Sequence, residues 1–150
     1  MEILKFENTI PKSWLEGIQE VHRAVFDGDL LKEEKLQNRN NFLAILAIVD
    51  GKVAAFKFGY EQPDGAFYSW LGGVHPNYQR LGIAAACMKA QHNWCRGKGY
   101  KLVRTYGRNE KKAMLIVNLK AGFNIIKTFF DDKGRHKIVF EKNLLADESK

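Results

Sequence analysis

Residues 71–86 run Leu-Gly-Gly-Val-His-Pro-Asn-Tyr-Gln-Arg-Leu-Gly-Ile-Ala-Ala-Ala, and this stretch decides the fold. The pattern predicts the end of an apolar strand, a polar turn at Pro76, and a helix that starts at Gly82. The first N–H groups of a helix have no partner inside it, and the helix dipole places partial positive charge there. A phosphate group can accept those N–H groups. The stretch therefore predicts an anion site between a strand and a helix.

Length and composition indicate an ordinary globular protein. The chain has 150 residues, of which 45% are hydrophobic and 27% charged, and this size predicts a single domain over residues 1–150 with a polar tail at 144–150. No apolar run approaches the ~20 residues that a membrane span needs. Residues 1–7 alternate charged with apolar side chains and lack a signal-peptide core. We therefore expect a cytoplasmic protein with no membrane partner.

The net charge of +7 admits two explanations, nucleic-acid binding or an ordinary surface with a polyphosphate cofactor. Acidic residues sit between most of the basic ones, and the sequence has no Lys/Arg run and no nucleic-acid motif. We expect no nucleic-acid partner.

Neither cysteine predicts a disulfide or a metal site. Cys87 and Cys95 fall in one predicted helix, about 12 Å apart at the helical rise, which is too far for a disulfide. Both are expected in or near the core. The histidines are scattered without metal-ligand spacing, at His22, His75, His92 and His136.

Hydrophobic periodicity predicts the element order β-α-α-β-β-β-α-β-α-β-β. The predicted helices cover residues 13–26, 29–37, 82–96 and 109–121. The predicted strands cover residues 2–7, 42–49, 52–60, 66–74, 101–106, 123–130 and 136–141.

Short motifs refine these elements. Ser13-x-x-Glu16 is a capping-box pattern, and Asp50-Gly51 between two apolar runs predicts a type I′ hairpin turn. Gly72-Gly73 predicts a bulge or a close backbone approach to a ligand near the end of the fourth strand. Asn109 is expected either to cap the predicted helix over 109–121 or to contact a cofactor.

Two segments and the element order resemble one family. The run Gln79-Arg80-Leu81-Gly82-Ile83-Ala84 resembles the Q/R-x-x-G-x-G/A pyrophosphate loop of the GCN5-related N-acetyltransferases. The run Asn118-Leu119-Lys120-Ala121-Gly122-Phe123 resembles that family's L-Y-x-K-x-G-F ending. The resemblance covers nearly the whole chain. It implies an α/β (α+β) fold with a central mixed, mostly antiparallel twisted sheet of about seven strands and four helices, in which the fourth and fifth strands splay apart.

The resemblance implies acetyl transfer from acetyl-CoA to a primary amine of a small molecule, peptide or protein, without a metal. The alternatives are a non-catalytic CoA-binding module and a basic nucleic-acid-binding protein. A monomer or a homodimer is expected. The implied cofactor-binding residues are Gly72, Val74, Gln79, Arg80, Gly82, Ile83, Ala84, Ala85, Asn109 and Asn118.

The residues that move protons are harder to place. Asn118 stands where the family often has a tyrosine acid, and an amide can hydrogen-bond but cannot act as that acid. Water, Tyr106 or Tyr78 could protonate the leaving thiolate instead, or Asn118 could serve only to position the cofactor. Among residues 66–74 the polar candidates for a base are Tyr68 and Ser69, with no carboxylate.

Outside that strand, Glu61 acting through water and His75 are further candidates for the base. The acceptor is expected between the helices over 13–26 and 29–37 and the splayed strands. Acidic residues on those helices, including Glu33 and Glu34, suggest a cationic acceptor.

Overall fold

A computed structural model describes residues 1–145, and they form a seven-stranded sheet in the order β1-β2-β3-β4-β5-β7-β6. The strands are β1 (Glu2–Glu7), β2 (Leu43–Val49), β3 (Lys52–Glu61), β4 (Phe67–Val74), β5 (Leu102–Arg108), β6 (Asn124–Phe130) and β7 (His136–Asn143). Every neighbouring pair is antiparallel except β4 and β5. The predicted mixed, mostly antiparallel sheet of seven strands is confirmed.

Three α-helices accompany the sheet within the described residues: α1 (Lys12–Val25), α2 (Ile83–Gly97) and α3 (Lys112–Lys120). Short 3₁₀ helices cover Glu33–Leu36 and Pro76–Tyr78. α1 packs on one face of the sheet with Phe56 and Phe58, while α2 packs on the other face with Phe67. β2 is buried along nearly its whole length because both of its faces are covered, which explains its unbroken apolar sequence.

The predicted hairpin between β2 and β3 is confirmed. Asp50 and Gly51 both have positive φ angles, 51° and 76°. A type I′ turn requires this conformation at both central residues, and its twist matches that of the flanking strands.

The predicted helix over 29–37 is wrong, since only Glu33–Leu36 is helical, and as 3₁₀. A side chain of α1 holds part of this segment by hydrogen bonds that are distant in sequence. The side chain of Gln19 donates to the carbonyl of Leu31 at 2.6 Å and accepts from the N–H of Leu31 at 2.9 Å. Lys32, the next residue, is extended with φ −80° and ψ 116°, so the chain from this contact to Glu33 is not helical. The fold therefore has three α-helices in its described part, where four were expected.

Two smaller predictions are also corrected. The capping box fails because α1 already starts at Lys12 behind Pro11, so Ser13 lies inside the helix and no side chain caps its N-terminus. Leu144, the first residue of the predicted polar tail, is fully buried, and its N–H donates to the carbonyl of Lys101 at 2.9 Å. The rest of that predicted tail, 146–150, lies outside the described residues.

None of the helices found in residues 1–145 is both long and apolar enough to cross a membrane.

Candidate functional site

The candidate site begins where β4 and β5 separate. The two strands pair only at their starts, and the pairing ends at Tyr68 opposite Arg104. Just beyond, the hydroxyl of Thr105 donates to the carbonyl of Ser69 at 2.9 Å. Past this point the strands diverge, which confirms the predicted splay. We call the opening between them the slot.

β4 directs backbone groups into the slot. The N–H of His75 donates to the carbonyl of Ala54 on the β3 side at 2.9 Å. Successive residues of an antiparallel strand point their backbone groups alternately toward and away from the neighbouring strand. The β3–β4 register is regular through Gly72 and Val74. The N–H and C=O of these two residues therefore face away from β3 and into the slot.

The β-bulge of β4 lies at Trp70, two residues before the predicted position. Consecutive residues of β3 pair with Leu71 and Ser69, so Trp70 is the extra residue. A bulge bends its strand and increases the local twist. We attribute the divergence of β4 from β5 to this bend.

The glycines at 72 and 73 are explained by close packing instead of a bulge. A Cβ at Gly73 would lie 3.0 Å from two methyl carbons of Val25, so α1 can approach β4 only because the side chain is absent. A Cβ at Gly72 would lie 3.0 Å from the carbonyl oxygen of Phe56 and 3.6 Å from Cγ of Lys57.

The turn between β4 and α2 presents a group of backbone donors. The N–H of Ala86 donates to the carbonyl of Gly82 at 3.1 Å, so the N–H groups of residues 83–85 precede the intrahelical ladder. Arg80 and Gly82 adopt positive φ angles of 66° and 75°. Left-handed residues in such a turn aim neighbouring N–H groups at a common point, which forms an anion-binding concavity.

The surroundings of this turn fit a polyphosphate. A Cβ at Gly82 would meet no atom within 4 Å, so the approach is open. Gln79, Arg80, Ala84 and Ala85 are exposed, whereas the side chain of Ile83 is buried in the core. The sequence contains no Asp or Glu between positions 64 and 110. No carboxylate from β4, the turn, α2 or β5 therefore opposes an anion here.

Two of the predicted catalytic residues lie together at the closed end of the slot. The rings of Tyr68 and Tyr106 meet edge to face with centroids 5.2 Å apart. Burial raises the pKa of Tyr68 to about 12, with smaller contributions from Tyr60 and Tyr106, and the Arg39 cation opposes the rise. Tyr68 therefore stays protonated at neutral pH and can donate a hydrogen bond, but it is a poor base.

The two predicted asparagines occupy different environments. Asn118 is buried on α3 with 6% exposure. Asn109 does not cap α3, whose cap is Lys111; its N–H donates to His136 and its side chain accepts from Lys112 at 3.1 Å. The cap prediction fails because β5 runs on to Arg108 and keeps Asn109 beside β7.

The remaining candidates for the acid and the base lie elsewhere. Tyr78 contacts His75, with ring centroids 6.0 Å apart, in the turn before α2. Nδ1 of His75 accepts from the N–H of Asn77 at 3.1 Å. Glu61 ends β3 opposite Phe67, away from the slot, and accepts from Tyr100 at 2.8 Å. A role for Glu61 as the base through water is therefore not supported.

Sequence reasoning missed a row of aromatic rings on the α1 face of the sheet. Tyr60 contacts Tyr68 at 5.3 Å and Trp70 at 5.5 Å, and the guanidinium of Arg39 lies over the rings of Tyr60 and Trp70. The alternation of Tyr68 and Trp70 along β4 was the available signal. Nothing local to Arg39 pointed to this contact.

It also missed Lys57, the cross-strand partner of Gly72. Burial lowers the pKa of Lys57, and the nearby thiol of Cys87 acts in the opposite direction. Cys87 and Cys95 are buried free thiols, as expected. A lysine within an apolar strand is ambiguous in the sequence, because its face depends on the register.

One cavity lies away from the slot. It has a volume of about 510 Å³ and is lined by Glu61, Ala66, Trp94 and Tyr100, at the end of the sheet where β4 begins. Its polar groups already bind one another, since Tyr100 donates to Glu61 at 2.8 Å and Trp94 donates to Glu7 at 3.4 Å. Within residues 1–145, no three His, Cys, Asp or Glu side chains are grouped to hold a metal ion.

Several solved structures share this fold at low sequence identity. A GNAT-family protein from Desulfovibrio desulfuricans aligns with TM-score 0.81 and 14% identity, over 95% of this chain and 99% of that one. The ribosomal-protein-S18-alanine N-acetyltransferase from Escherichia coli aligns with TM-score 0.73 and 16% identity, over 94% of each chain. A Bacillus anthracis protein in complex with acetyl coenzyme A aligns with TM-score 0.76 and 14% identity, over 95% of this chain and 99% of that one.

Comparison with curated proteins found no significant match. The sequence profile of the Acetyltransferase (GNAT) family matches residues 7–115, which include α1, β2 through β5 and the turn before α2. With the splayed strands and the donor turn in place, this chain belongs to the GNAT acetyltransferase family.

Proposed function

We propose that this chain transfers an acetyl group from acetyl-CoA to a primary amine of a small molecule, peptide or protein. The observation that carries the proposal is the slot. It runs beside the backbone groups of Gly72 and Val74 and leads to the turn that holds free N–H groups before α2. Family membership supports acetyl transfer, and a structural neighbour was solved with acetyl coenzyme A.

The backbone would hold most of the cosubstrate. Val74 would bond the pantetheine arm in the manner of an added strand, since its N–H and C=O face the slot. The N–H groups of Arg80, Gly82 and residues 83–85 would bind the pyrophosphate. The side chains of Gln79 and Arg80 are exposed beside them and would add polar and cationic contacts.

Activation of the acetyl group would depend on one backbone donor. Bound acetyl-CoA supplies an acetyl carbon already activated as a thioester. The N–H of Gly72 faces the slot and would donate to the thioester carbonyl oxygen. A preorganised donor of this kind contributes about 3 kcal/mol to transition-state stabilisation.

Proton transfer would use a phenol and water. An alkylamine has a pKa of about 10.4, so it arrives protonated at neutral pH and needs a proton acceptor. β4 offers no carboxylate, which leaves ordered water in the slot for this step. Tyr106, at the closed end of the slot, would donate a proton to the leaving thiolate. Asn118 would position the cosubstrate.

Two measurements test the proposal. Calorimetry with acetyl-CoA and CoA tests the cosubstrate site, and thiol release with a panel of alkylamines, amino acids and peptides tests turnover. We expect binding of both ligands, and thiol release that depends on an amine and yields its acetamide by mass spectrometry. Binding without turnover on any amine would support a CoA-binding module instead. Absence of binding, with salt-sensitive affinity for nucleic acid, would support the nucleic-acid alternative.

The compartment, the oligomeric state and the single-domain assignment stay predictions from the sequence.

A further inference from the structure

Arg39 is held in place beside the slot by three contacts. Its guanidinium carbon lies 4.7 Å from the ring centroid of Tyr60 and 4.7 Å from that of Trp70. Its Nε donates to the carbonyl of Lys35 at 2.8 Å. Cation–π stacking on two rings together with a hydrogen bond to the backbone fixes both the position and the plane of the guanidinium.

The outer edge of this guanidinium is not neutralised. Among residues 1–145, no carboxylate oxygen lies within 4.0 Å of Arg39, and the hydrogen bond to Lys35 uses only its Nε. Arg104 shows the contrast, because its guanidinium binds Asp64 at 2.8 Å and Glu141 at 2.7 Å. Arg39 is half-buried, so its charge has lost part of its hydration without gaining an anionic partner.

Arg39 lies on the side of the sheet from which an acceptor would approach. Tyr60 and Trp70, on which it stacks, continue through Tyr68 to Tyr106 at the closed end of the slot. Phe67, the neighbour of Tyr68, faces α2 and packs on Trp94. Since side chains alternate along a strand, the aromatic row and Arg39 lie on the opposite, α1 face.

We propose that Arg39 binds a carboxylate of the acceptor, so that the acceptor is an amine that also carries a carboxylate, such as an amino acid. This inference rests on the proposed acetyl transfer. A guanidinium fork binds a carboxylate with two parallel hydrogen bonds, which gives orientation as well as affinity. The same cation repels the ammonium of a plain diamine. The inference thus replaces the cationic acceptor suggested by Glu33 and Glu34, which are exposed.

The test compares amines that differ only in the carboxylate. Suitable pairs are glycine with methylamine, β-alanine with ethylamine, γ-aminobutyrate with propylamine, and phenylalanine with phenethylamine. The first three pairs vary the distance between the amine and the carboxylate. The variants are Arg39→Gln, Arg39→Lys and the control Arg23→Gln, which alters an exposed arginine of α1.

For the parent we expect kcat/KM to be at least ten-fold higher for the carboxylated member of at least one pair. Arg39→Gln should raise KM for that member at least ten-fold and leave its plain amine unchanged. Arg39→Lys should restore the preference only in part, because it keeps the charge and loses the fork. The Arg23→Gln control should have the same kcat/KM values as the parent. The Kd of acetyl-CoA should equal the parent's in every variant.

Equal kcat/KM values for the two members of every pair would overturn the inference. An Arg39→Gln variant whose kcat/KM falls equally for both members of a pair would also overturn it, because that result shows a structural role. If the parent binds CoA but turns over no amine, the acetyl-transfer proposal fails on its own. Calorimetry of N-acetylphenylalanine against N-acetylphenethylamine, with CoA present, then decides the role of Arg39. Binding of the carboxylate compound that Arg39→Gln abolishes supports the inference, and equal binding overturns it.

Discussion

The rings of Tyr68 and Tyr106 meet edge to face, 5.2 Å apart, at the point where β4 and β5 stop pairing. Tyr68 is the last residue of β4 paired with β5, and Tyr106 lies two residues beyond its partner Arg104. The two phenols thus close the end of the slot. Because burial raises the pKa of Tyr68 to about 12, this end of the slot offers hydrogen-bond donors at neutral pH.

If Tyr106 protonates the leaving thiolate, Tyr106→Phe lowers kcat at least ten-fold, because a positioned general acid typically contributes about 10²–10⁴-fold. Acetyl-CoA affinity stays within two-fold of the parent, since the ring remains. Steady-state thiol release and calorimetry measure the two quantities. Tyr78→Phe is the matched control, because Tyr78 lies in the turn against His75. An unchanged kcat for Tyr106→Phe would leave water as the proton source.

Gly82→Glu abolishes acetyl-CoA binding while the fold survives. The added side chain meets no atom within 4 Å, but its carboxylate stands among the N–H groups meant for phosphate. The positive φ of 75° costs about 1 kcal/mol of stability for any side chain. Gly82→Ala carries the same strain without the charge and keeps measurable binding. Equal calorimetric affinity of Gly82→Glu and the parent would rule out this turn as the pyrophosphate site.

Asn118→Ala weakens acetyl-CoA binding about five-fold, which corresponds to the loss of about 1 kcal/mol of hydrogen bonding. The pH profile of kcat keeps its shape, because an amide does not titrate. Asn109→Ala is the comparison, since the side chain of Asn109 accepts from Lys112 at 3.1 Å. A changed pH profile in Asn118→Ala would contradict a purely positioning role.

Features governed by local chemistry were predictable from the sequence. Asp50-Gly51 gives its turn because both residues tolerate positive φ, and the apolar run of β2 identifies a central strand. The turn at Gly82 was found because strand, glycine and helix follow one another directly.

Features governed by contacts distant in sequence were not predictable. The helix over 29–37 was expected from leucine spacing, yet the side chain of Gln19 takes both backbone groups of Leu31. Gly72-Gly73 predicted a bulge or a close backbone approach to a ligand, but those glycines accommodate α1 and β3, and the register of β3 places the bulge at Trp70. The proposed role of Arg39 depends on its contact with the ring of Tyr60 on β3.

Lys57→Met stabilises the protein at pH values below the native pKa of Lys57. Burial lowers that pKa, and no described carboxylate pairs with the ammonium. Removing a poorly solvated, unpaired group returns about 1–3 kcal/mol. Between the native pKa and 10.5 the unfolded chain binds more protons at this residue, so the parent's stability rises relative to the variant. Urea unfolding across pH measures the difference, with Lys52→Met, exposed at the start of β3, as control. A constant difference across pH would contradict this account.

The buried thiol of Cys95 lowers the stability of the native state as the pH rises above about 9. Burial raises the pKa of this fully buried thiol from 9.0 to about 12. Between these values the unfolded thiol has lost its proton while the native thiol keeps it. The native state therefore binds more protons, and the free energy of unfolding falls by up to about 1.4 kcal/mol per pH unit for this group.

Other groups act in the same direction, because burial raises the pKa of Cys87 to about 11, and partial burial raises the pKa of Tyr68 and Tyr100 to about 12. Cys95→Ala is less stable than the parent at neutral pH because it leaves a cavity. Its stability nevertheless falls less steeply between pH 9 and pH 12, since one proton is no longer released on unfolding. Cys87→Ala shows the same flattening over a narrower range that ends near pH 11. Urea unfolding of the three proteins at intervals across this range provides the slopes. Parallel curves for the parent and both variants would show that neither buried thiol controls alkaline stability.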